Sequence, residues 1–433
     1  MELIDRILSD GNIEAAIHAV KSNRGAAGID KMTVDALEGY FAMHGEEIKE
    51  QIRAKKYKPQ PVRRVYIPKA NGKQRPLGIP TVVDRVIQQA VAQVLSREYE
   101  PYFSEYSYGF RPNRDCHRAI GKVLEYLNDG CEWVIDMDIE KYFDTVNHDK
   151  LISILRERVN NAQTLHLIRS FLRAGVMENG LVSPTEEGVP QGGPLSPILS
   201  NVYLDKLDKE LEGRGLHFVR YADDCDIFVR SEKAADRVMA SVSSWLERKL
   251  RLKVSATKTK VVRPTNSTFL GFTFWKSTDG WRPRPTKDRK EKLCGKVKQI
   301  LCRKRAASIP LAVTFRKLNQ VLRGWINYFR IGSMKGWLRD DFAPWMRHKV
   351  RVVIMKQWKK PEAIYRYLVK LNARFKCGFD HEDLWKVANS RLGLYRRCTG
   401  NVISFLLNPK VLALKNGDRP GLVDPLEYYL RTT

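Results

Sequence analysis

Apolar positions recur at helical spacing over most of this 433-residue chain, and short stretches with the two-residue period of strands interrupt them. The helical pattern predicts helices over 1–50 with a break at 23–30, then over 81–100, 150–175, 198–204, 232–250 and from about 285 onward. The strand pattern predicts strands at 65–68, 133–138, 218–229, 252–262 and 269–274. A chain of this length can bury a substantial core and form two or three subdomains.

The stretch from Phe218 to Val229 carries the most information. Two β-branched or aromatic runs flank Asp223 and Asp224, which predicts a strand, a tight turn and a second strand with the two acids at the tip. At a turn, consecutive carboxylates can face one small volume, where they repel each other unless a cation lies between them. A divalent metal site fits this pattern, but the tetrad beginning at Tyr221 also occurs by chance in polar hairpins.

A second acidic cluster follows Trp133. Strand alternation places Asp136 and Asp138 on one face of a stretch that is otherwise apolar. If this strand lies beside the 218–229 hairpin in one sheet, Asp138 can join Asp223 and Asp224. Three carboxylates around two divalent ions are the minimal set for phosphoryl transfer.

Three further segments allow two interpretations each. The Asn71-Gly72 turn predicts a hairpin with Lys69 and Arg75 on facing strands, either to hold a triphosphate or as solvated surface charges. The loop at 107–114 mixes aromatic residues with Arg, which is typical of nucleic-acid contact but equally of a packed loop. The turn at 187–197 precedes a helix, where it either approaches phosphate or simply starts the helix with Pro.

The charge distribution points to a polyanionic partner. Lys and Arg number 76 against 49 Asp and Glu, and residues 276–433 alone carry 36 basic and 12 acidic residues. Nucleic acid is favoured over a membrane surface, since no 18-residue apolar span and no Arg-rich amphipathic leader occurs. The seven cysteines show no zinc spacing and no C-x-x-C pair, so we expect reduced thiols and a cytoplasmic bacterial location, at the nucleoid through nucleic acid.

Seven motifs occur in a fixed order. They are Lys69 with Arg75-Pro76-Leu77-Gly78, Tyr108-Gly109-Phe110-Arg111-Pro112, Asp138 with Tyr142-Phe143-Asp144, the run from Gly188 to Pro197, Tyr221-Ala222-Asp223-Asp224, Lys258-Thr259-Lys260, and Phe269-Leu270-Gly271-Phe272. Together they resemble the successive blocks of bacterial group II intron-encoded reverse transcriptases, also called maturases. The resemblance runs from about residue 20 to the C-terminus.

This resemblance implies an α+β, right-hand polymerase fold with fingers, a palm carrying an antiparallel sheet, and a helical thumb, followed by a helical maturase region. The implied domains are 1–120 for the N-terminal extension and fingers, 121–280 for the palm with part of the fingers, 281–370 for the thumb, and 371–433 for the C-terminal part of the RNA-binding region. Since the chain stops at Thr433, we expect the short class that lacks the DNA-binding segment and the endonuclease.

The resemblance also implies roles for single residues. Asp138, Asp223 and Asp224 would be catalytic and hold two Mg²⁺ ions, with Mn²⁺ as a substitute and the Ile139 carbonyl as an extra ligand. Lys69 and Arg75 would bind the incoming triphosphate, Phe143 would stack on the sugar and exclude a ribose 2′-hydroxyl, Gln191 would lie near the nucleotide and Lys258 near the leaving phosphates. The residues expected to contact nucleic acid are Arg24, Arg63, Arg64, Arg111, Arg114, Lys287, Arg289, Arg303, Lys304 and Arg305.

The function implied is that of an RNA-directed DNA polymerase, a nucleotidyltransferase that adds dNTPs to a primer 3′-OH and also assists splicing and retrohoming of a group II intron. Its partners would be the intron RNA template, a DNA primer or target, and dNTPs. No membrane partner is expected, and the sequence does not determine the oligomeric state. Two alternatives are an RNA-binding splicing cofactor whose polymerase site is vestigial, and a domesticated relative that serves DNA repair or phage defence.

Overall fold

The computed structural model describes residues 2–68, 72, 74–178 and 180–433. The chain divides into two compact units, residues 1–269 and residues 270–433. In the described part, no helix is both long enough and apolar enough to cross a membrane.

The first unit contains helices and two four-stranded sheets. Its helices are α1 (Leu3–Leu8), α2 (Asp10–Ser22), α3 (Leu37–Arg53), α4 (Val82–Tyr99), α5 (Cys116–Asn128), α6 (Tyr142–Thr145), α7 (His148–Arg156), α8 (Ala162–Leu172), α9 (Ser196–Gly213) and α10 (Glu232–Trp245). Its strands are β1 (Val62–Pro68), β2 (Gln74–Ile79), β3 (Trp133–Asp138), β4 (Val176–Glu178), β5 (Leu181–Ser183), β6 (His217–Tyr221), β7 (Asp224–Val229) and β8 (Lys260–Val262).

The two sheets differ in strand direction. One has the order β2-β1-β4-β5, with antiparallel β1–β2 and β4–β5 pairs joined by a parallel β1–β4 pair. The other has the order β6-β7-β3-β8, and all of its pairs are antiparallel. This second sheet carries the acidic residues, since β3 ends at Asp138 and β7 begins at Asp224.

A single apolar core connects the helices of the first unit to the acidic sheet. Helix α4 starts where the Thr81 hydroxyl accepts a hydrogen bond from the Asp84 amide, and it buries Val86, Ile87 and Val91. Ile135 and Ile227, which lie opposite each other on β3 and β7, belong to the same core. The helices therefore fix one face of the sheet and, with it, the position of the acidic strand ends.

The second unit is mostly helical and contains one hairpin. Its elements are β9 (Phe272–Ser277), β10 (Gly280–Pro285), α11 (Lys287–Ile300), α12 (Arg303–Ala306), α13 (Leu311–Phe329), α14 (Ala343–Trp358), α15 (Pro361–Phe375), α16 (His381–Asn389), α17 (Leu394–Arg397), α18 (Asn401–Leu406), α19 (Pro409–Ala413) and α20 (Pro425–Thr432). A π-helical turn over Trp337–Phe342 leads into α14.

The mixture of helices and antiparallel strands confirms the α+β prediction. Three predicted elements differ from the structure. The helical pattern at 150–175 is two helices, because Asn161 caps α8 by accepting from the Thr164 amide. The strand predicted at 252–262 is only β8, and the strand predicted from residue 269 begins at Phe272, after Leu270 and Gly271 adopt left-handed backbone conformations with φ of 53° and 84°. The predicted domain divisions at 120, 280 and 370 remain predictions.

Candidate active site

The strand pairing brings the two acidic clusters together. In the antiparallel β3–β7 ladder, Asp138 lies directly opposite Asp224, and Asp136 lies directly opposite Asp226. Directly opposed residues of such a pair have Cα atoms about 4.5–5.5 Å apart. The predicted pairing of strand 133–138 with the 218–229 hairpin is thus confirmed, and Asp223 follows in the turn between β6 and β7.

The turn that carries Asp223 packs closely against the backbone of the loop at 107–114. Ala222 has a left-handed backbone with φ of 60°, and Gly109 of the loop at 107–114 lies so close that a Cβ there would be 2.3 Å from the Ala222 nitrogen. Only glycine fits such an approach of two backbones. The loop at 107–114 therefore packs against the acidic turn, which is the second of the two interpretations that its sequence allowed.

A buried ion pair holds the same turn. Arg220 donates from Nε to Asp208 Oδ1 at 2.7 Å and from Nη2 to Asp208 Oδ2 at 2.5 Å, and both side chains are fully buried. Its Nη1 donates to the Ala222 carbonyl at 2.9 Å and to Asn201 Oδ1 at 3.1 Å. Asn201 in turn donates to the Gly109 carbonyl at 2.8 Å, so one network links helix α9, the loop and the turn.

Burial and mutual repulsion raise the pKa of two acids of this site, Asp223 and Asp224, above the usual value. Desolvation raises the pKa of Asp223, and the carboxylate of Asp138 adds to the effect, while the cations of Arg75 and Lys258 oppose it. The pKa of Asp224 is raised to about 6, although part of this side chain stays exposed. Desolvation is the largest cause, and the charges of the neighbouring acids add to it. This is an unfavourable concentration of negative charge, and a cation would relieve it.

Lys258 supplies one such cation. Its Nζ lies 2.8 and 2.9 Å from the two carboxylate oxygens of Asp138. The backbone of Asp138 is held by the same segment, because its carbonyl accepts from the Ser255 amide at 2.8 Å and its amide donates to the Thr259 hydroxyl at 3.2 Å. Of the strand predicted over 252–262, only β8 forms, and Lys258 lies in a turn just before it, beside the acids.

The donor set suits a hard divalent ion. Carboxylate oxygens are the ligands that Mg²⁺ prefers, and those of Asp138, Asp223 and Asp224 lie at one end of one sheet. As placed, no group of three His, Cys, Asp or Glu side chains within 2–68, 72, 74–178 and 180–433 is close enough to bind one ion. The ammonium of Lys258 lies beside Asp138 and supplies the positive charge next to this carboxylate. Ile139 is buried next to Asp138 and pairs with Val254 through an isolated bridge.

The predicted nucleotide-binding hairpin is formed by β1 and β2. Arg75 is exposed on β2, opposite Ile67, and its charge reaches Asp223, whose pKa it lowers against the effect of desolvation. Lys69 lies outside the described residues, so its predicted place facing Arg75 stays a prediction.

Phe143 and Gln191 line one cavity of about 520 Å³, together with Arg64 and Tyr66 of β1. Phe143 is half-buried next to Tyr142, and the rings meet edge to face with centroids 5.1 Å apart. Phe143 and Gln191, two of the residues expected to contact the nucleotide, thus border the same space.

The cations predicted to bind nucleic acid fall into two groups. Arg111 is buried, and its guanidinium is spent inside the protein on Glu100, at 2.9 Å, and on the carbonyls of Ser104 and Ser107. In this structure the N–H groups of the Arg111 side chain point to protein acceptors, and the prediction that Arg111 contacts nucleic acid stays a prediction.

The other cations remain available to different degrees. Arg63 donates to the Ala27 carbonyl at 2.7 Å and holds the loop at 23–30, while Arg114 lies over the Tyr108 ring at 5.4 Å. Arg64 is half-buried at the cavity. Those that are exposed are Arg24, Lys287, Arg289, Arg303, Lys304 and Arg305.

The roles of Arg220 and Asp208 were not predicted from the sequence. A signal was present, because Arg220 shares a strand face with Phe218, and a charge at a buried strand position requires an opposite charge. The sequence did not reveal that the partner would come from α9, twelve residues earlier.

Comparison with known proteins gives two family matches. Residues 67–274 match the reverse transcriptase (RNA-dependent DNA polymerase) family, and residues 290–371 match the group II intron, maturase-specific domain. The chain is 35% identical over 280 residues to protein YkfC of Escherichia coli (strain K12), across 55% of this chain and 74% of YkfC. It is 31% identical over 346 residues to the group II intron-encoded protein LtrA of Lactococcus lactis subsp. cremoris, across 65% of this chain and 57% of LtrA.

A solved structure, the partial Cas6-RT-Cas1--Cas2 complex, is 26% identical and covers 57% of this chain and 43% of its own, with a TM-score of 0.37, which is too low to bear on the fold. The two matched families imply intron RNA as a partner, and reverse transcriptases generally use divalent metal ions. The resemblance stated from the seven motifs is confirmed. The chain belongs to the reverse transcriptase family of RNA-directed DNA polymerases and carries, in addition, a group II intron maturase-specific domain.

Proposed function

We propose that this chain is an active reverse transcriptase that extends a primer 3′-OH with dNTPs on a group II intron RNA template, and a maturase that assists splicing and mobility of that intron. The observation that carries the proposal is the β3–β7 register, in which Asp138 lies opposite Asp224 with Asp223 in the adjoining turn. The matched families support the same activity.

In this proposal Asp138, Asp223 and Asp224 hold two Mg²⁺ ions, or Mn²⁺ in their place, with the Ile139 carbonyl as a further ligand. When bound, such ions activate the attacking hydroxyl and stabilise the leaving pyrophosphate. The raised pKa values of Asp223 and Asp224 support a cation here, since positive charge favours the ionised carboxylates.

The remaining residues act on the nucleotide. Arg75, with Lys69, neutralises the incoming triphosphate, and Lys258 turns its ammonium from Asp138 toward the leaving phosphates. The ring of Phe143 forms the wall against which the sugar stacks, so that a 2′-hydroxyl would clash with it. Gln191 faces the same cavity and contacts the nucleotide.

The basic residues grip the nucleic acid. We propose template contacts at Arg24 and further contacts with RNA or DNA at Arg63, Arg64, Arg114 and the cations of the second unit, which are Lys287, Arg289, Arg303, Lys304 and Arg305. The excess of 36 basic over 12 acidic residues in 276–433 supports this grip. The bacterial relatives support a location in the cytoplasm, at the nucleoid through nucleic acid.

The test is primer extension on an intron RNA template with dNTPs and Mg²⁺. The double variant Asp223→Asn, Asp224→Asn should lose at least about a hundredfold in rate, because the charge-stabilising groups are gone. The control is Asp236→Asn on the exposed face of α10, which should extend like the wild type. Undiminished synthesis by the double variant would refute the assigned site. Splicing assistance that persists in the double variant would show that the two activities are separable.

A further inference from the structure

His148 is a buried titratable residue that the proposed mechanism leaves without a role. It is the first residue of α7 and is 3% exposed. Its Nε2 lies 2.7 Å from the Gly188 carbonyl, while its Nδ1 is buried and, among the described residues, has no hydrogen-bond partner. A carbonyl can only accept, so Nε2 carries the proton and His148 is the donor. Desolvation lowers the pKa of His148, although the hydrogen bond to Gly188 acts in the opposite direction. The lowered pKa keeps the ring neutral.

The carbonyl that accepts this hydrogen bond belongs to Gly188, the first residue of the loop from Gly188 to Gln191. On one side, the Gly188 amide donates to the Val146 carbonyl at 2.8 Å, and the Val189 amide donates to the Phe143 carbonyl at 2.6 Å. On the other side, the Gln191 carbonyl accepts from the Gly78 amide of β2 at 2.7 Å. The loop therefore joins the backbone at Phe143 to the strand that carries Arg75.

The loop has little freedom where it meets Phe143. Gly188 has φ of 88°, and a Cβ at this position would be 2.8 Å from the Phe143 carbonyl oxygen. Within the described part of the chain, His148 is the side chain that hydrogen-bonds the Gly188 carbonyl. The side chains at the two ends of the connection, Phe143 and Gln191, border one cavity. A shift of Gly188 would thus change the distance across the space proposed for the nucleotide.

We propose that His148 is a positioning residue that fixes the loop from Gly188 to Gln191 against Phe143 and so sets the width of the nucleotide cavity. The inference rests on the proposed function for its consequence, nucleotide selection, but the loop contacts can be tested without it. The competing interpretation is that His148 only fills space in the core. In that case its replacement would lower stability without changing nucleotide selection.

The experiment compares His148→Leu, which keeps the bulk but removes the donor, with His148→Gln, whose amide can still donate from a similar position. A mild core change on the same helix, Ile154→Val, is the control for stability. For each full-length variant, kcat and KM for a dNTP and the ratio of ribonucleotide to deoxyribonucleotide incorporation are measured. Hydrogen exchange of the Gly188 and Val189 amides is followed in parallel.

His148→Leu should raise KM for the dNTP about tenfold and lower sugar discrimination, with kcat nearly unchanged, because an unsatisfied buried carbonyl lets the loop move. The two loop amides should also exchange faster. His148→Gln should restore both properties, and Ile154→Val should change neither. If His148→Leu melts earlier but keeps wild-type KM, discrimination and loop exchange, the inference is overturned. If the wild type does not extend primers, the polymerase proposal fails, while loop exchange in His148→Leu still decides whether His148 holds the loop.

Discussion

Replacing Arg220 should separate stability from positioning of the acidic turn. Arg220→Met keeps an apolar stem of similar length and removes the guanidinium. It leaves the Asp208 carboxylate fully buried without a counter-charge, and it leaves the carbonyl of Ala222 without its side-chain donor. Both consequences follow from one substitution that changes none of the three acids proposed to bind metal.

The magnitude follows from the burial of the pair. Removing one partner of a buried ion pair typically costs about 3–5 kcal/mol. The bidentate geometry, with distances of 2.7 and 2.5 Å, and the complete burial of both side chains place Arg220→Met toward the upper end. Asp208→Leu should cost a similar amount, because it leaves a buried guanidinium unpaired.

The double variant Arg220→Met, Asp208→Leu should be more stable than either single variant. An apolar pair of similar volume can replace a buried ion pair at little cost, so we expect a residual loss of about 1–3 kcal/mol from the unsatisfied polar groups. Polymerase activity should remain low in the double variant, because the Ala222 carbonyl has still lost the donor that holds the turn of Asp223.

The assay is hydrogen exchange of peptides spanning 217–229, since a chain with two compact units need not unfold in one transition. Each single variant should exchange at least about a hundredfold faster there, and the double variant should recover most of the protection. Primer extension is measured on the same samples. Wild-type exchange in the single variants would refute the stabilising role of the pair. Full synthesis by the double variant would refute the positioning role of Arg220.

Four further predictions concern the site and its surroundings. Phe143→Ala should raise ribonucleotide incorporation about tenfold or more, and an unchanged ratio in a nucleotide competition assay would mean that another residue excludes the 2′-hydroxyl. Gly109→Ala should abolish extension, because its Cβ would lie 2.3 Å from the backbone of the acidic turn, whereas Gly121→Ala on α5 has open space around it and should be active. Alanine at all three positions of 303–305 should reduce the slope of log Kd for RNA against log salt concentration by about 2. An unchanged slope would place the phosphate contacts elsewhere. Since the folded pKa of Asp224, about 6, lies above the model-compound value of 3.8, the metal-free protein should lose stability as pH rises through this interval, and Asp224→Asn should weaken that dependence in melting experiments at pH 4 to 8.

The local pattern was sufficient wherever one segment decides its own structure. The alternation over 133–138 predicted β3, and the two β-branched or aromatic runs around Asp223 predicted β6 and β7. These predictions succeeded because a strand that buries one face has apolar residues at every second position. The same reasoning failed at 252–262. There, the amide of Ser255 and the hydroxyl of Thr259 hydrogen-bond to the backbone of Asp138, a distant residue that periodicity does not report.

Side-chain roles could be predicted from the sequence only as chemical types. Arg111 has the charge expected of a phosphate ligand, but Glu100 and two carbonyls take its donors. The fate of an arginine depends on which acceptors the fold brings within reach. Its position in a motif shared with a family does not show whether it supports the site or touches the ligand.

The sequence by itself determined strands β3, β6 and β7, the tight turn with its two acids, the concentration of positive charge after residue 276 and the order of motifs that marks the family. The tertiary structure alone decided that Asp138 lies opposite Asp224 and that Arg220 pairs with Asp208. The physical reason is that register between strands separated by more than eighty residues is set by the packing of the whole sheet against its helices, and a buried charge takes its partner from whichever element that packing places beside it.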